Sequence, residues 1–399
     1  MDIIIDVITL IFTFISVYFM FLFLLLFFSH KKRFYKKSSI KNVPSVSIII
    51  PVYNEEKAIE KTIKNVKKLI YPKKIEIIVI DDGSTDNTYK IIKKIRGIRV
   101  LTKKHGGKAK ALNFGLKQAK GEIVACVDAD SYPEKNALMK TISLFEKNVA
   151  SVTTCIFVKN AKSLIQRLQR IEYLFIAWSR KVLEYLNSIY VTPGPMSLYR
   201  KKVLLKVGGF DEKNLTEDIE IAWRLLKHNY KIKMSLDTKV YTSVPRTLKK
   251  WWHQRLRWNI GGMQTNLKYF NLFLKKDFGS VGMFLLPFFS VSYLLSILGL
   301  FLIFYFIFNW SYLFIGSYTF GFNLMGTFYI LPDIFLFLGI FVFILSLFYI
   351  KAGYKTMKRY IHFPKKILDV LIYVLFYFAI FPINLIHSFL KFLTGKHKW

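Results

Sequence analysis

The chain has 399 residues, 53% of them hydrophobic, with 60 Lys and Arg against 25 Asp and Glu and a formal charge of +35. That is length for one sizeable soluble domain plus several membrane spans, and mean hydropathy of +0.31 beside excess cations fits a membrane protein with a basic face rather than a soluble nucleic-acid binder. Cys126 and Cys155 lie in apolar runs without CxxC or CxxH company, which argues against a disulfide framework or thiolate metal site.

Residues 7–29 hold no charge and are long enough to cross about 30 Å of hydrocarbon. A cleaved signal peptide would have cations before the apolar run; here they follow, in "HKKRFYKK". The positive-inside rule then sets the amino terminus outside and the next domain in the cytoplasm. Residues 1–43 form this first helix and its basic linker, and 44–247 change texture. "SVSIII", "IEIIVI", "IRVL" and "EIVACV" read as buried strands. Between them, Ile59, Ile63, Val66 and Ile70 keep helical spacing, as do Ala109, Leu112 and Leu116 between Gly107 and Gly121. Strand–helix alternation predicts an α/β fold with a mostly parallel sheet, whose ligands bind at the carboxyl ends of its strands.

Those ends carry "PVYNE", "DDGSTD", "TKKHGGKAKALN" and "DADSYP". Tyr53 can stack on a base, and Glu55, Asp81 and Asp82 can accept from base or ribose. Lys108 opens a helix behind two glycines, where backbone N–H groups favour phosphate. Asp128 and Asp130, two apart, suit Mg²⁺ or Mn²⁺ completed by substrate phosphates and water. Any one of these motifs alone could be loop punctuation; four at successive strand ends point to a nucleotide site.

Residues 161–187 read as an amphipathic basic helix, apposed to the membrane or packed in the core. Segment 248–275 carries "KKWWHQRLRW" from Lys249 on; a Trp–cation interfacial belt accounts for Lys249, Lys250, Trp251 and Trp252, and one helix over about 247–272 spans it. In 276–399, apolar stretches recur near 281–308, 328–350 and 367–390. The first connection, 309–326, lacks Lys and Arg and is placed outside; the second, 351–366, is basic and placed inside. The basic tail would then lie outside, which the rule disfavours, so the last stretch is open to an interfacial placement. Asp333 is expected at the mouth of the third span, and His105 and His253 as loop or interface residues.

The ordered motifs resemble those of the family 2 inverting glycosyltransferases of GT-A fold, a Rossmann-like architecture. "GGFDEKNLTEDIEIAWRL" resembles the TED segment, and "QRLRW" the Q-x-x-R-W motif of membrane-bound members, among them the poly-N-acetylglucosamine, hyaluronan, chitin and cellulose synthases. The likeness covers roughly residues 44–275. It implies a cytoplasmic GT-A domain inserted between transmembrane helices of a multi-pass cell-membrane protein, with amphipathic interface helices. Tyr53, Glu55 and Asp82, with Asp81 beside them, would contact uridine. Lys108 would approach the diphosphate, Asp128 the nucleotide sugar, and Asp130, with Asp128, a Mg²⁺ or Mn²⁺ ion. Asp218 would be the general base with Glu217 beside the substrate. Gln254, Arg255 and Arg257 would close on the diphosphate, and Trp258 would form an acceptor platform. The expected partners are a UDP-sugar donor, a growing glycan or a lipid acceptor, and membrane lipids, with no nucleic acid; an oligomer or accessory subunit is left open. Processive synthesis of a β-linked polysaccharide leads, single transfer to a lipid is second, and a non-catalytic sugar-nucleotide or lipid-binding scaffold is remote, since Asp130 and Asp218 are both present.

Overall fold

Successive side chains of a strand point to opposite faces, and the run "VSIIIPV" is apolar on both. In the computed structural model, which describes residues 2–32, 34, 43–320, 334–358 and 367–395, Ile48 and Ile50 pack into one buried cluster and Ile49 into a second across the sheet. The strands are β1 (Val46–Val52), β2 (Glu76–Asp81), β3 (Arg99–Thr102), β4 (Ile123–Cys126), β5 (Ser131–Pro133), β6 (Val149–Val158), β7 (Ser197–Arg200) and β8 (Lys231–Thr242), in the order β3-β2-β1-β4-β7-β6-β8-β5. The first four are parallel, as the alternation predicts. Beyond β4 the sheet is mixed: β7 runs antiparallel to β4 and β6, while β6 and β8 are parallel. Strand order reverses at β1, which places a crevice outside the carboxyl ends of β1, β2 and β4.

Helices α1 (Asp2–His30), α2 (Ile59–Val66) and α4 (Lys108–Gln118) form where the apolar run and the helical spacing predict them, and the short helices α3 (Thr88–Lys93) and α5 (Ala137–Ile142) stand between strands where no helix was read. One detail differs: α2 stops at Val66, and Ile70, expected on its buried face, is exposed. Helix α6 (Leu164–Leu183) starts at a capping box formed by Ser163 and Gln166. It lies across the sheet, tied at one end by Gln166 and Gln169 to the Val244 and Pro245 carbonyls and at the other by Arg180 and Lys181 to those of Thr154 and Met234. α7 (Lys201–Lys206) and α8 (Glu217–Lys227) complete the domain, and α9 (Leu248–Tyr269) runs over it.

The apolar stretches form α1, α10 (Leu286–Phe320), α11 (Ile334–Met357) and α12 (Ile367–Leu393). Four helices among the described residues are long and apolar enough to cross a membrane. α10 and α11 run past the expected ends at 308 and 350, because the flanking aromatic and small residues continue the helix. Asp333 lies outside the described residues. Trp251, expected in an exposed belt, is instead fully buried against Phe376 and Tyr377 of α12.

Candidate active site

Three groups of side chains gather at the carboxyl ends of β1, β2 and β4. In the first, the Tyr53 ring stacks on His105, with centroids 4.1 Å apart. His105 Nδ1 stands 3.0 Å from the Asp82 carboxylate. Asp82 also takes Lys103 Nζ at 2.5 Å and the Gly106 and Gly107 N–H groups at 3.1 and 2.7 Å. Its oxygens therefore shape loop 103–107, while Asp81 accepts the Ser84 N–H at 3.3 Å.

The second group is acidic. Burial first, then the charges of Asp130, Asp86 and Asp128, pushes Glu55 up to about 7. Asp130 is pushed up to about 6 by burial and by Asp128, against an opposing hydrogen bond from Thr242. Crowded hard-oxygen carboxylates such as Glu55 and Asp130, both raised by burial and by their acidic neighbours, fit a divalent cation. Among the described residues no three His, Cys, Asp or Glu side chains form a cage by themselves, so an ion at Asp128 and Asp130 would draw further oxygens from substrate and water.

The third group is Lys108, Asp128, Glu217, Asp218 and Arg257. Lys108, at the start of α4, bridges Asp128 at 2.6 Å and Glu217 at 3.0 Å. Burial disfavours its charge, but the surrounding carboxylates more than restore it and hold its pKa above the ordinary lysine value. Burial likewise opposes ionised Glu217, yet Lys108 and then Arg257 hold it below its usual range. Asp218 goes the other way: burial and the Glu217 charge push it up to about 6. Two adjacent carboxylates thus differ, one held ionised and one poised to exchange a proton near neutrality.

The TED loop owes its position to α9. Arg257 donates to the Leu215 carbonyl at 3.2 Å, Gln264 accepts the Leu215 N–H at 3.0 Å, and Asn214 donates to Thr265 at 2.9 Å. Gly261 lies so close to Thr216 that a Cβ there would stand 2.2 Å from the Thr216 hydroxyl. Buried Glu220 ties α8 to α9 by accepting from Lys268 at 2.6 Å and Tyr269 at 2.7 Å.

One expected member stands apart. Arg255 is turned away from the Lys108 group and forms a buried ion pair with Glu172 of α6. Its guanidinium carbon lies 4.0 Å from the Trp258 ring centroid, and it donates to Gln254 at 2.7 Å. A buried cation takes the nearest buried anion, and α6 supplies one that no spacing in "QRLRW" indicates. His253 is exposed, with its ring 2.7 Å from the Lys249 carbonyl.

Sequence reasoning missed Glu172 and Gly194 and placed His105 only in a loop. A Cβ on Gly194 would stand 2.4 Å from Lys108 Nζ and 2.5 Å from both Asp128 carboxylate oxygens. Its signal was the rigid "TPGP" frame, and that of Glu172 an acid midway along a basic helix. Cys126 and Cys155 are buried free thiols pushed up by burial, as expected of small core residues.

Residues 47–208 match the family model described as Glycosyl transferase family 2. A poly-beta-1,6-N-acetyl-D-glucosamine synthase of Staphylococcus epidermidis is 35% identical over 268 residues, 64% of this chain and 65% of the relative. Its counterpart from Staphylococcus aureus strain COL is 35% identical over 239 residues, 58% of each chain. The chain thus spans less than two thirds of the length of these curated relatives. A mannosyltransferase from Pyrobaculum calidifontis, solved with GDP-Man and Mn²⁺, shares the fold at a TM-score of 0.57 and 19% identity, over 88% of this chain and 98% of that one.

Proposed function

We propose, from the family 2 glycosyltransferase domain that this chain carries, that it moves a sugar from a UDP-sugar onto a growing glycan and so builds a β-linked polysaccharide at the cytoplasmic face of the cell membrane. The convergence of Lys108, Asp128, Glu217, Asp218 and Arg257 carries this reading. The staphylococcal relatives favour an N-acetylhexosamine as the sugar.

Asp218 is the general base. It takes the acceptor hydroxyl's proton as that oxygen bonds to the anomeric carbon, while the bond to the diphosphate breaks and UDP leaves with its electron pair. One base on the acceptor side suffices for inversion, since no glycosyl–enzyme bond forms. Negative charge develops on the departing diphosphate, and Lys108 and Arg257 are cations within reach of it. Asp128 and Glu217 keep Lys108 charged. Tyr53 and His105 offer a stacked surface for the base, with Glu55, Asp81 and the Asp82-shaped loop beside it. Asp128 and Asp130 would hold Mg²⁺ or Mn²⁺, which when bound neutralises diphosphate charge. Gln254 is assigned to the diphosphate and Trp258 to the acceptor, and Arg255 positions Trp258 rather than gripping phosphate.

The test uses the full chain in lipid nanodiscs with a panel of radiolabelled UDP-sugars and Mg²⁺, Mn²⁺ or chelator. Polymer retained at the chromatographic origin from one donor, lost with chelator, supports the proposal. Label passing into organic solvent as a single species would instead make the acceptor a lipid. Donor binding without transfer to any acceptor would return the scaffold reading.

A further inference from the structure

We propose that α12 does not cross the membrane but lies along it, its apolar face in the cytoplasmic leaflet and its polar face on the sheet domain. The proposal rests on the reading that α1, α10 and α11 cross the bilayer and that the domain is cytoplasmic.

Those three helices meet the domain near one end. α1 does so through Phe27 and His30, against Trp178 and Tyr185. α10 does so through Phe289, against Tyr190 and Trp223. α11 does so through Tyr349 and Gly353, against Trp178 and Phe175. Farther out, Phe14 of α1, Phe304 and Tyr312 of α10, and Phe337 and Phe343 of α11 are exposed.

α12 is held along its length instead. Buried Asp369, near its start, pairs with Arg167 of α6 at 3.1 Å. Tyr373 stacks on Phe175, also of α6. Farther on, Asn259 of α9 donates to Asn384 at 3.1 Å and Ser388 at 3.3 Å, Asn384 donates to the Trp252 carbonyl at 3.1 Å, and Trp252 Nε1 donates to His387 at 3.0 Å. Asp369 and Ser388 are about 28 Å apart along a helix rising about 1.5 Å per residue. That nearly equals the hydrocarbon thickness of about 30 Å, yet both ends of the stretch touch helices that lie flat on the domain. A spanning α12 would have to carry α6 and α9, with Arg167, Glu172 and Arg255, across the bilayer. The opposite side of α12 presents Leu371, Leu375, Ile383, Phe389 and Leu390, all exposed. A helix with one polar and one apolar stripe sits at the lipid–water boundary, and a cytoplasmic carboxyl end keeps the basic tail inside.

Parity of crossings decides the matter. In the full-length protein, single cysteines at Lys74→Cys, Asn323→Cys and Lys398→Cys are probed with a membrane-impermeant maleimide in intact and permeabilised cells; Cys126 and Cys155 are buried and give little background. The expected result has Lys398→Cys sharing the labelling pattern of Lys74→Cys, with Asn323→Cys opposite. Lys398→Cys siding with Asn323→Cys overturns the proposal. All three on one side would fail the reading of α10 and α11 as spans, and the proposal with it. A nitroxide on Ala379→Cys separates an interfacial helix from a deep hairpin: a depth of about 5–10 Å supports the proposal, and a label at the bilayer midplane overturns it.

Discussion

Gly261→Ala opposes two effects of known size. In a helix interior, alanine is favoured over glycine by about 1 kcal/mol, so propensity alone predicts a more stable protein. The added Cβ, however, would meet Thr216 Oγ1 at 2.2 Å, Cγ2 at 2.6 Å and Cβ at 2.8 Å, whereas carbon contacts relax only near about 3.5–4.0 Å. Thr216 cannot swing aside, because it is buried and held by Asn214 through its N–H at 2.8 Å and its hydroxyl at 3.1 Å. The helix and the TED loop must therefore separate by roughly 1 Å, and overpacking of this kind costs about 1–3 kcal/mol. The steric cost wins, and the thermal midpoint of the solubilised protein falls by a few degrees, at about 2–4 °C per kcal/mol. Thr216 lies two residues before Asp218, and a displacement near 1 Å at the reacting groups costs about 10²-fold. Turnover should fall on that scale, while UDP affinity, assigned by the proposal to the loops after β1 and β2, should hold. Wild-type turnover with a raised thermal midpoint would refute the packing argument and leave propensity as the whole effect.

Asp218→Asn should lower glycosyl transfer by about 10²–10⁴-fold and leave UDP binding, read by calorimetry, nearly intact; wild-type turnover would remove Asp218 as base. With Asp218 at about 6, the base is ionised above that pH, so kcat should fall as pH drops through about 6 and flatten above it; a pH-independent kcat from 5 to 8 would contradict the assignment. Arg255→Ala strands buried Glu172 and should cost about 3–5 kcal/mol of stability, seen as a lowered thermal midpoint, whereas half-buried Arg257→Ala should lower kcat with little change in midpoint; the reverse pattern would exchange the two arginines' roles. Trp258→Ala should reduce acceptor-dependent transfer more than donor hydrolysis, and equal losses would move Trp258 to the donor side.

Local chemistry made much of this protein legible without coordinates. Strand runs, helical periodicity and turn residues are short-range signals, so "SVSIII", "IEIIVI" and the Lys108 helix appear where they were expected. Residues at the ends of parallel strands converge by topology alone, which is why Tyr53, Asp82, Asp128 and Asp130 could be grouped from sequence. Length and apolarity likewise mark four membrane-competent segments. Pairings between elements distant in sequence were not legible. Nothing in "QRLRW" says that Arg255 meets Glu172, 83 residues away, while Arg257 reaches the TED loop; the helix phase and the packing of α6 decide it. Gly194 against Lys108, Gly261 against Thr216 and the polar stripe of α12 against α9 are also facts of close approach. Composition records which residues a helix carries, but burial and charge compensation depend on what stands opposite, and only the tertiary structure supplies that.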